Sequence, residues 1–379
     1  MAQSDIPDLH DQLAAARRAV NCGRFAEARK GCRAIFALDP GNLAGLQIYT
    51  SATVFAANDP VLARIKAFAA RRDLPDAHAS QLHFMLGKAL DDLGRTRAAF
   101  AAFRRANALK PVKFDAVARS DFAERLIAAS AALRLPALPP AAPRMVFVLG
   151  MPRSGTSLMA QCLDAHPQIT SLGEMTALGA ALTTAHDGKT RIRLPEFLKT
   201  ADQALLEQAR RIYRQAIPAR ARASGHVLID KMPENYWLAF AIPLIFPDAL
   251  ILHMRRDRLA TCWSCYRNDF GQGHEYSYDF NNLLTQFETQ ERLSAAWKVR
   301  HAGHWRDVAL DRLAGTPRET IAPVLERLSL KWNEACLTPA ATGGEVRTLS
   351  KFQVRRGIRP GIATAWRAYE PLIRETWDL

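Results

Sequence analysis

The sequence predicts a stack of paired helices at the N-terminus, followed by an α/β domain built on a parallel sheet with a phosphate-binding loop. Three observations predict this. Residues 8–135 have helical spacing throughout, are rich in Ala, Leu, Arg and Asp, and carry one pattern that returns 71 positions later. Arg134–Arg144, RLPALPPAAPR, holds four prolines and cannot be helix throughout. Beyond it, short apolar runs alternate with helical stretches, as strand–helix–strand units do. The predicted division is a helical region over 1–135, a stiff linker over 136–144 and the α/β domain over 145–379.

The helical region comes first. Gly23-Arg24-Phe25-x-x-Ala28 leads to Ala37-Leu38-Asp39-Pro40, and Gly94-Arg95-Thr96-x-x-Ala99 leads to Ala108-Leu109-Lys110-Pro111. This pattern resembles the second helix and exit turn of a tetratricopeptide repeat (TPR). Two such repeats with a small insertion fit the separation, and the middle repeat, at about 44–76, is degenerate. Helix pairs of this kind need neighbours to cover their apolar faces, so an independent α-solenoid is expected. Its role is either a groove for a partner or a brace for the second domain.

Met145–Ser157, MVFVLGMPRSGTS, opens that second domain. Met145–Leu149 is a continuous apolar run, as befits a parallel strand buried on both faces. Gly150 ends it, and Thr156–Leu163 has helical spacing. A strand, a glycine-bounded loop and a helix aim successive backbone N–H groups at a phosphate. Gly150 to Gly155 has Walker A spacing, but Thr156 stands where that motif has its lysine. With its positive charge on Arg153 instead, the loop suits a nucleotide bearing one phosphate at its 5′ end.

PRSGTS after an apolar strand resembles the 5′-phosphosulfate loop of sulfotransferases that use 3′-phosphoadenosine-5′-phosphosulfate (PAPS). The similarity is greatest to bacterial TPR sulfotransferases and more distant to tyrosylprotein sulfotransferases. It implies a sulfuryl transferase on a P-loop parallel sheet, with PAPS as co-substrate and no metal. Arg153, Ser154, Gly155, Thr156 and Ser157 would then hold the 5′ end. Gln168–Leu172 reads as a short strand running into Gly173-Glu174, where the family carries a candidate general base. A carboxylate at a strand end can take a hydroxyl proton; the plainer reading is a carboxylate at a helix N-terminus. His166 could also be a base, but before Pro167 it reads more plainly as a cap.

Residues 175–222 look helical and basic, as an acceptor-binding insertion would. Val227–Ile229 is the next strand, and Asp230-Lys231-Met232-Pro233 resembles the family's Asp-Lys-x-Pro. Lys231 would neutralise the departing oxygen. Ala249–His253 leads to Arg255-Arg256-Asp257 and a helix through Cys262, Ser264 and Tyr266. Arg256 and Ser264 resemble the family's 3′-phosphate pair, the feature that separates PAPS from ATP. The loop Gly271–Asp279 resembles a family segment that touches the acceptor, with His274 more plainly structural. Trp305–Leu310 reads as a fifth strand, after which the family's Tyr-Glu is absent, Ala309-Leu310 standing there. Near the end, Ser350 aligns with a serine on the sulfuryl group, and Arg355, Arg356 and Gly357 with a segment capping the 3′-phosphate and adenine. Trp366-Arg367-x-Tyr369-Glu370-Pro371 also matches.

Composition sets the outer bounds. The chain has 379 residues, 49% of them hydrophobic, enough for two or three cored domains. No apolar run approaches the roughly 20 residues of a membrane span. MAQSDIPDLHDQ lacks the features of a signal peptide, so a cytoplasmic protein is expected. The net charge of +14 is spread along the chain, +8 in residues 1–144 and +6 beyond. It attracts an anionic nucleotide or an acidic acceptor; nucleic acid would be attracted too, but most of these residues read as solvated surface. Six cysteines are scattered, and Cys262-x-x-Cys265 lacks the second pair a zinc site needs. Both read as ordinary thiols. The acceptor itself, a protein tyrosine, a saccharide or a glycolipid, is not legible, although the helical region could recruit a macromolecule. Two rival classes remain, a P-loop nucleotide kinase or NTPase, and a scaffold with a vestigial nucleotide site.

Overall fold

The structure, a computed structural model, describes residues 8–111, 113–186, 194–271, 273–339, 357–358 and 360–379. Helices α1 (Leu9–Asn21), α2 (Phe25–Leu38), α3 (Leu43–Ser51), α4 (Pro60–Ala69), α5 (Asp76–Asp92), α6 (Thr96–Ala108) and α7 (Ala116–Ala132) make up the N-terminal region. The recurring glycines act alike. Gly23 and Gly94 have φ of 75° and 68°, and the amide after each donates to a carbonyl five residues back, Arg24 to Ala19 and Arg95 to Leu90. That is a Schellman ending, which glycine adopts without strain. Polar side chains cap the other ends: Asn42 accepts from Gly45 N at 2.9 Å, and Asp59 caps α4 ahead of Pro60.

The expected independence of this region is not what the structure has. Residues of α1–α4 share one core with the near face of α5. The other face of α5 and all of α6 belong to a second core with the α/β domain: Phe84, Phe100 and Phe103 pack with Trp263, Tyr266 and Tyr369. Phe100 stacks on Trp263 with centroids 5.2 Å apart. Helix α7 joins a third core through Ala123 and Leu126. The segment 134–144 is irregular, as its prolines require, but it is packed down: Leu138 is 1% exposed and its amide donates to Leu244 O.

Five parallel strands form the sheet, β1 (Met145–Leu149), β2 (Ile169–Ser171), β3 (Val227–Asp230), β4 (Leu250–Arg255) and β5 (Trp305–Ala309), in the order β2-β3-β1-β4-β5. Strand β1 is central and buried at every residue, which is why its sequence shows no alternation. Between the strands run α8 (Thr156–Asp164), α9 (Ala177–His186), α10 (Leu194–Thr200), α11 (Gln203–Ala216), α12 (Ala219–Ala223), α13 (Ile242–Ile245), α14 (Arg258–Tyr266) and α15 (Phe280–Arg300). After β5 come α16 (Leu310–Gly315), α17 (Pro317–Arg327) and a closing helix, Glu370–Trp377. No helix among the described residues is long and apolar enough to cross a membrane.

Candidate active site

Because all five strands are parallel, their C-terminal ends lie on one side of the sheet, and the strand order lays out the site. Glu174 and Lys231 follow β2 and β3, the loop follows β1 in the middle, and Arg256 follows β4.

The loop is tightly constrained. Gly150, Arg153 and Gly155 have φ of 139°, 71° and 105°, all in the left-handed half of backbone space. A Cβ on Gly150 would stand 2.6 Å from the carbonyl oxygen of Met254 on β4, and one on Gly155 would stand 2.8 Å from Leu310 Cδ1. Only glycine fits at either place. Leu310 thus packs directly on the loop. Arg153 holds its costly conformation with help from Arg256, whose Nη1 donates to Arg153 O at 3.1 Å.

A cavity of about 320 Å³ opens over this loop, and Arg153, Gly155, Thr156, Ser157, Arg256 and Ser264 line it. Arg153 Nε donates to Ser264 Oγ at 3.2 Å, and Arg256 Nη2 to Ile362 O at 3.4 Å. Ser154 Oγ and Arg256 Nε are buried with no hydrogen-bond partner among the described residues, and Arg256 lines the cavity. Arg267, three positions beyond Ser264, brings a third guanidinium to the same cavity. Burial, then repulsion by Arg267, pushes Arg153 and Arg256 down to about 10. An anion here would relieve both effects. Cys262 and Cys265 are buried free thiols on α14, and Cys265 Sγ donates to Pro152 O at 3.3 Å, packing the loop from behind.

Across the cavity stands Glu174, beyond β2, its side chain 38% exposed. Lys231 Nζ donates to Glu174 Oε1 at 2.5 Å. Lys231 is 3% exposed and is not one of the residues lining the cavity; it stands behind the carboxylate. Burial lowers its pKa below the ordinary lysine value, and Glu174 opposes that shift. Deeper still, Asp230 is fully buried and accepts from Tyr213 Oη at 2.8 Å and Asn235 Nδ2 at 3.4 Å. Burial pushes its carboxyl up to about 7.

Sequence reasoning missed Glu234 and Arg267, although each lies three residues beyond a predicted site residue, a spacing that could have flagged them. Glu234 lines the cavity with its Oε1 3.1 Å from His274 Nδ1, and burial raises its carboxyl, with Glu174 adding to the shift. His274 lines the cavity as well, its Nδ1 2.9 Å from Tyr276 Oη. His166 is structural: its Nδ1 accepts from Gln168 N and its Nε2 meets Lys331 O. Gly357 is described, with φ of 71°, but does not line the cavity. Ser350, Arg355 and Arg356 lie outside the described residues.

The sequence model described as "Sulfotransferase family" matches residues 143–334. A protein of Aquifex aeolicus (strain VF5), described as uncharacterized, is 29% identical over 60% of this chain. Protein-tyrosine sulfotransferase 1 of Danio rerio is 25% identical over 56% of it. The chain spans 31% of the first relative's length and 60% of the second's. Among solved structures, the sulfotransferase domain of the Synechococcus PCC 7002 olefin synthase aligns with a TM-score of 0.45 and 19% identity, covering 65% of this chain and 99% of that domain.

Proposed function

The chain belongs to the sulfotransferase family, and from that premise we propose that its cavity binds PAPS and passes the sulfuryl group to an acceptor hydroxyl. The observation that carries this reading is the cluster of Arg153, Arg256 and Arg267 around one cavity, with Arg256 Nε buried and unpartnered among the described residues. Such donors suit a ligand with more than one anionic group. Thr156, Ser157 and the amides opening α8 would hold the 5′-phosphate, and Arg256 and Ser264 the 3′-phosphate. Trp263 and Trp366 offer flat apolar walls to the base.

In the proposed reaction, Glu174 takes the proton from the acceptor hydroxyl as its oxygen attacks sulfur. The bond between sulfur and the bridging oxygen breaks, and the electron pair leaves on the 5′-phosphate. Arg153 faces the charge developing there. Lys231 acts at one remove: it holds and orients Glu174, and is free to turn to the departing oxygen once Glu174 is protonated. The segment with Ser350, Arg355, Arg356 and Gly357 would complete the donor site. The acceptor would be a tyrosine, saccharide or glycolipid hydroxyl entering beside Glu234 and His274. If a macromolecule is recruited by the helical region, the task falls to α1–α4, whose core contains no residue beyond Leu93 among the described residues.

Transfer of label from sulfur-labelled PAPS to a cell extract, in the presence of a metal chelator, tests the reading. PAPS should bind well above ATP. Preference for ATP would instead support a nucleotide kinase or NTPase, and binding without transfer to any acceptor a vestigial site.

A further inference from the structure

Asp91 sits in the last turn of α5, within the N-terminal helical region, yet both its carboxylate oxygens are engaged far along the chain. Arg267 Nη1 donates to Oδ2 at 2.8 Å, and Tyr369 Oη donates to Oδ1 at 2.5 Å. Arg267 follows α14 and lines the cavity. Tyr369 ends the short turn Ala365–Tyr369, whose Ala365 and Trp366 line the same cavity. The Tyr369 ring also lies against Trp263, with centroids 4.6 Å apart. Asp91 does not itself line the cavity. It ties two of its walls together, and nearby contacts support the same joint: Asn107 Nδ2 donates to Tyr266 O at 2.8 Å, and Lys110 Nζ pairs with Asp269 at 2.8 Å.

Arg267 needs such a tie. It is a long side chain with many rotamers, and the charges of Arg153 and Arg256 repel it. Untethered, it gains both entropy and electrostatic relief by turning to solvent. We propose, resting on the nucleotide reading above, that Asp91 is a positioning residue for the donor site. It keeps Arg267 facing the bound phosphates and fixes the Trp366 wall through Tyr369. The N-terminal helices then complete the pocket as well as packing beside it.

The sign of one measurement separates positioning from charge. Removing a negative charge near an anion site raises the local positive potential, which alone would tighten anion binding. Loss of positioning weakens it. Calorimetry on the full chain with adenosine 3′,5′-bisphosphate, comparing wild type with Asp91→Asn, Asp91→Glu and Tyr369→Phe, reads that sign. Asp91→Asn should weaken binding roughly 3- to 30-fold, the usual range for residues that act through others. Asp91→Glu, which keeps the charge, should recover part of the loss, and Tyr369→Phe should show a smaller loss with its ring packing intact. Equal or tighter binding by Asp91→Asn overturns the positioning role and leaves the nucleotide reading standing. Should Asp91→Asn not fold, unchanged affinity in Tyr369→Phe overturns it instead. Failure of the wild type to bind the bisphosphate at all overturns the nucleotide reading and this role with it.

Discussion

Glu174 Oε1 and Lys231 Nζ stand 2.5 Å apart, just beyond the ends of two neighbouring strands, and only the carboxylate reaches the cavity. An alcohol or phenol needs a proton acceptor to become a good nucleophile. Glu174→Gln keeps shape and hydrogen bonding and removes that charge. Turnover should fall about 10²–10⁴-fold, while affinity for PAPS stays within about threefold, less than 1 kcal/mol. The loss should be larger for a saccharide hydroxyl than for a phenol, which ionises more readily. Lys231 adds a pH signature. Its pKa is lowered by burial, so its charge is lost on the alkaline side earlier than an ordinary lysine's. Without Glu174 opposing that shift, the alkaline limb of the residual activity should move to lower pH. Full turnover in the variant would identify Glu174 as structural and direct the search to His274.

Arg256→Ala should weaken binding of adenosine 3′,5′-bisphosphate by about 1.5–3 kcal/mol, the scale of a charge-assisted contact. Arg256 also supports the strained loop through Arg153 O, so 5′-AMP should weaken too, by no more than about 1 kcal/mol. Calorimetry with both nucleotides checks the difference. Equal losses would remove Arg256 from the 3′-phosphate.

Asp230 predicts a stability difference with a definite sign. Its folded-state pKa is raised to about 7, while an unfolded aspartate titrates near about 3.9. Between those values the native state binds more protons than the unfolded one, so this group's contribution to stability is lost as pH rises. Asp230→Asn lacks that loss. Urea unfolding should show the variant gaining on wild type from about pH 4 to 7, at no more than about 1.4 kcal/mol per pH unit, and holding a constant lead above that. A difference that shrinks as pH rises would mean that the carboxylate is stabilised in place.

Deletion of residues 1–135 should give a protein that aggregates. The cut uncovers the apolar surface that Phe84, Phe100 and Phe103 now cover on α14 and the closing helix. Phe100→Ala in the full chain should cost about 3–5 kcal/mol, as core aromatics do. Size-exclusion chromatography of the truncated chain and denaturant unfolding of the point variant check this. A soluble, monomeric truncation that binds nucleotide would show that α5 and α6 are dispensable to the domain.

The sheet was legible because buried parallel strands read as unbroken apolar runs. Met145–Leu149, Val227–Ile229 and Ala249–His253 announced β1, β3 and β4 to within a residue or two. Arg153 and Arg256 each follow a strand end, and because parallel strands gather their ends the two line one cavity, with Ser264 reaching it from within α14. What Phe100 and Phe103 cover was not legible. Helical periodicity says that a face is buried but not against what, and an apolar stripe looks the same on a self-contained solenoid as on a shared core. That Lys231 stands behind Glu174 and does not line the cavity was not legible, since spacing says nothing about which of two adjacent polar side chains stands in front. The pairing of Arg267 with Asp91 escaped because it spans 176 residues and leaves no local pattern.

The bond from Tyr369 to Asp91 spans 278 residues, and this has a consequence for how the protein comes into being. A chain leaving the ribosome carries α5 and the phosphate loop long before residue 369 emerges. The loop-closure entropy of so distant a contact delays the joint until the rest of the fold has brought its ends together. Until then Phe100, Phe103 and Trp263 lack part of their cover, and the growing chain is most prone to self-association. The cavity wall that Tyr369 holds is therefore assembled only after residue 369 has emerged.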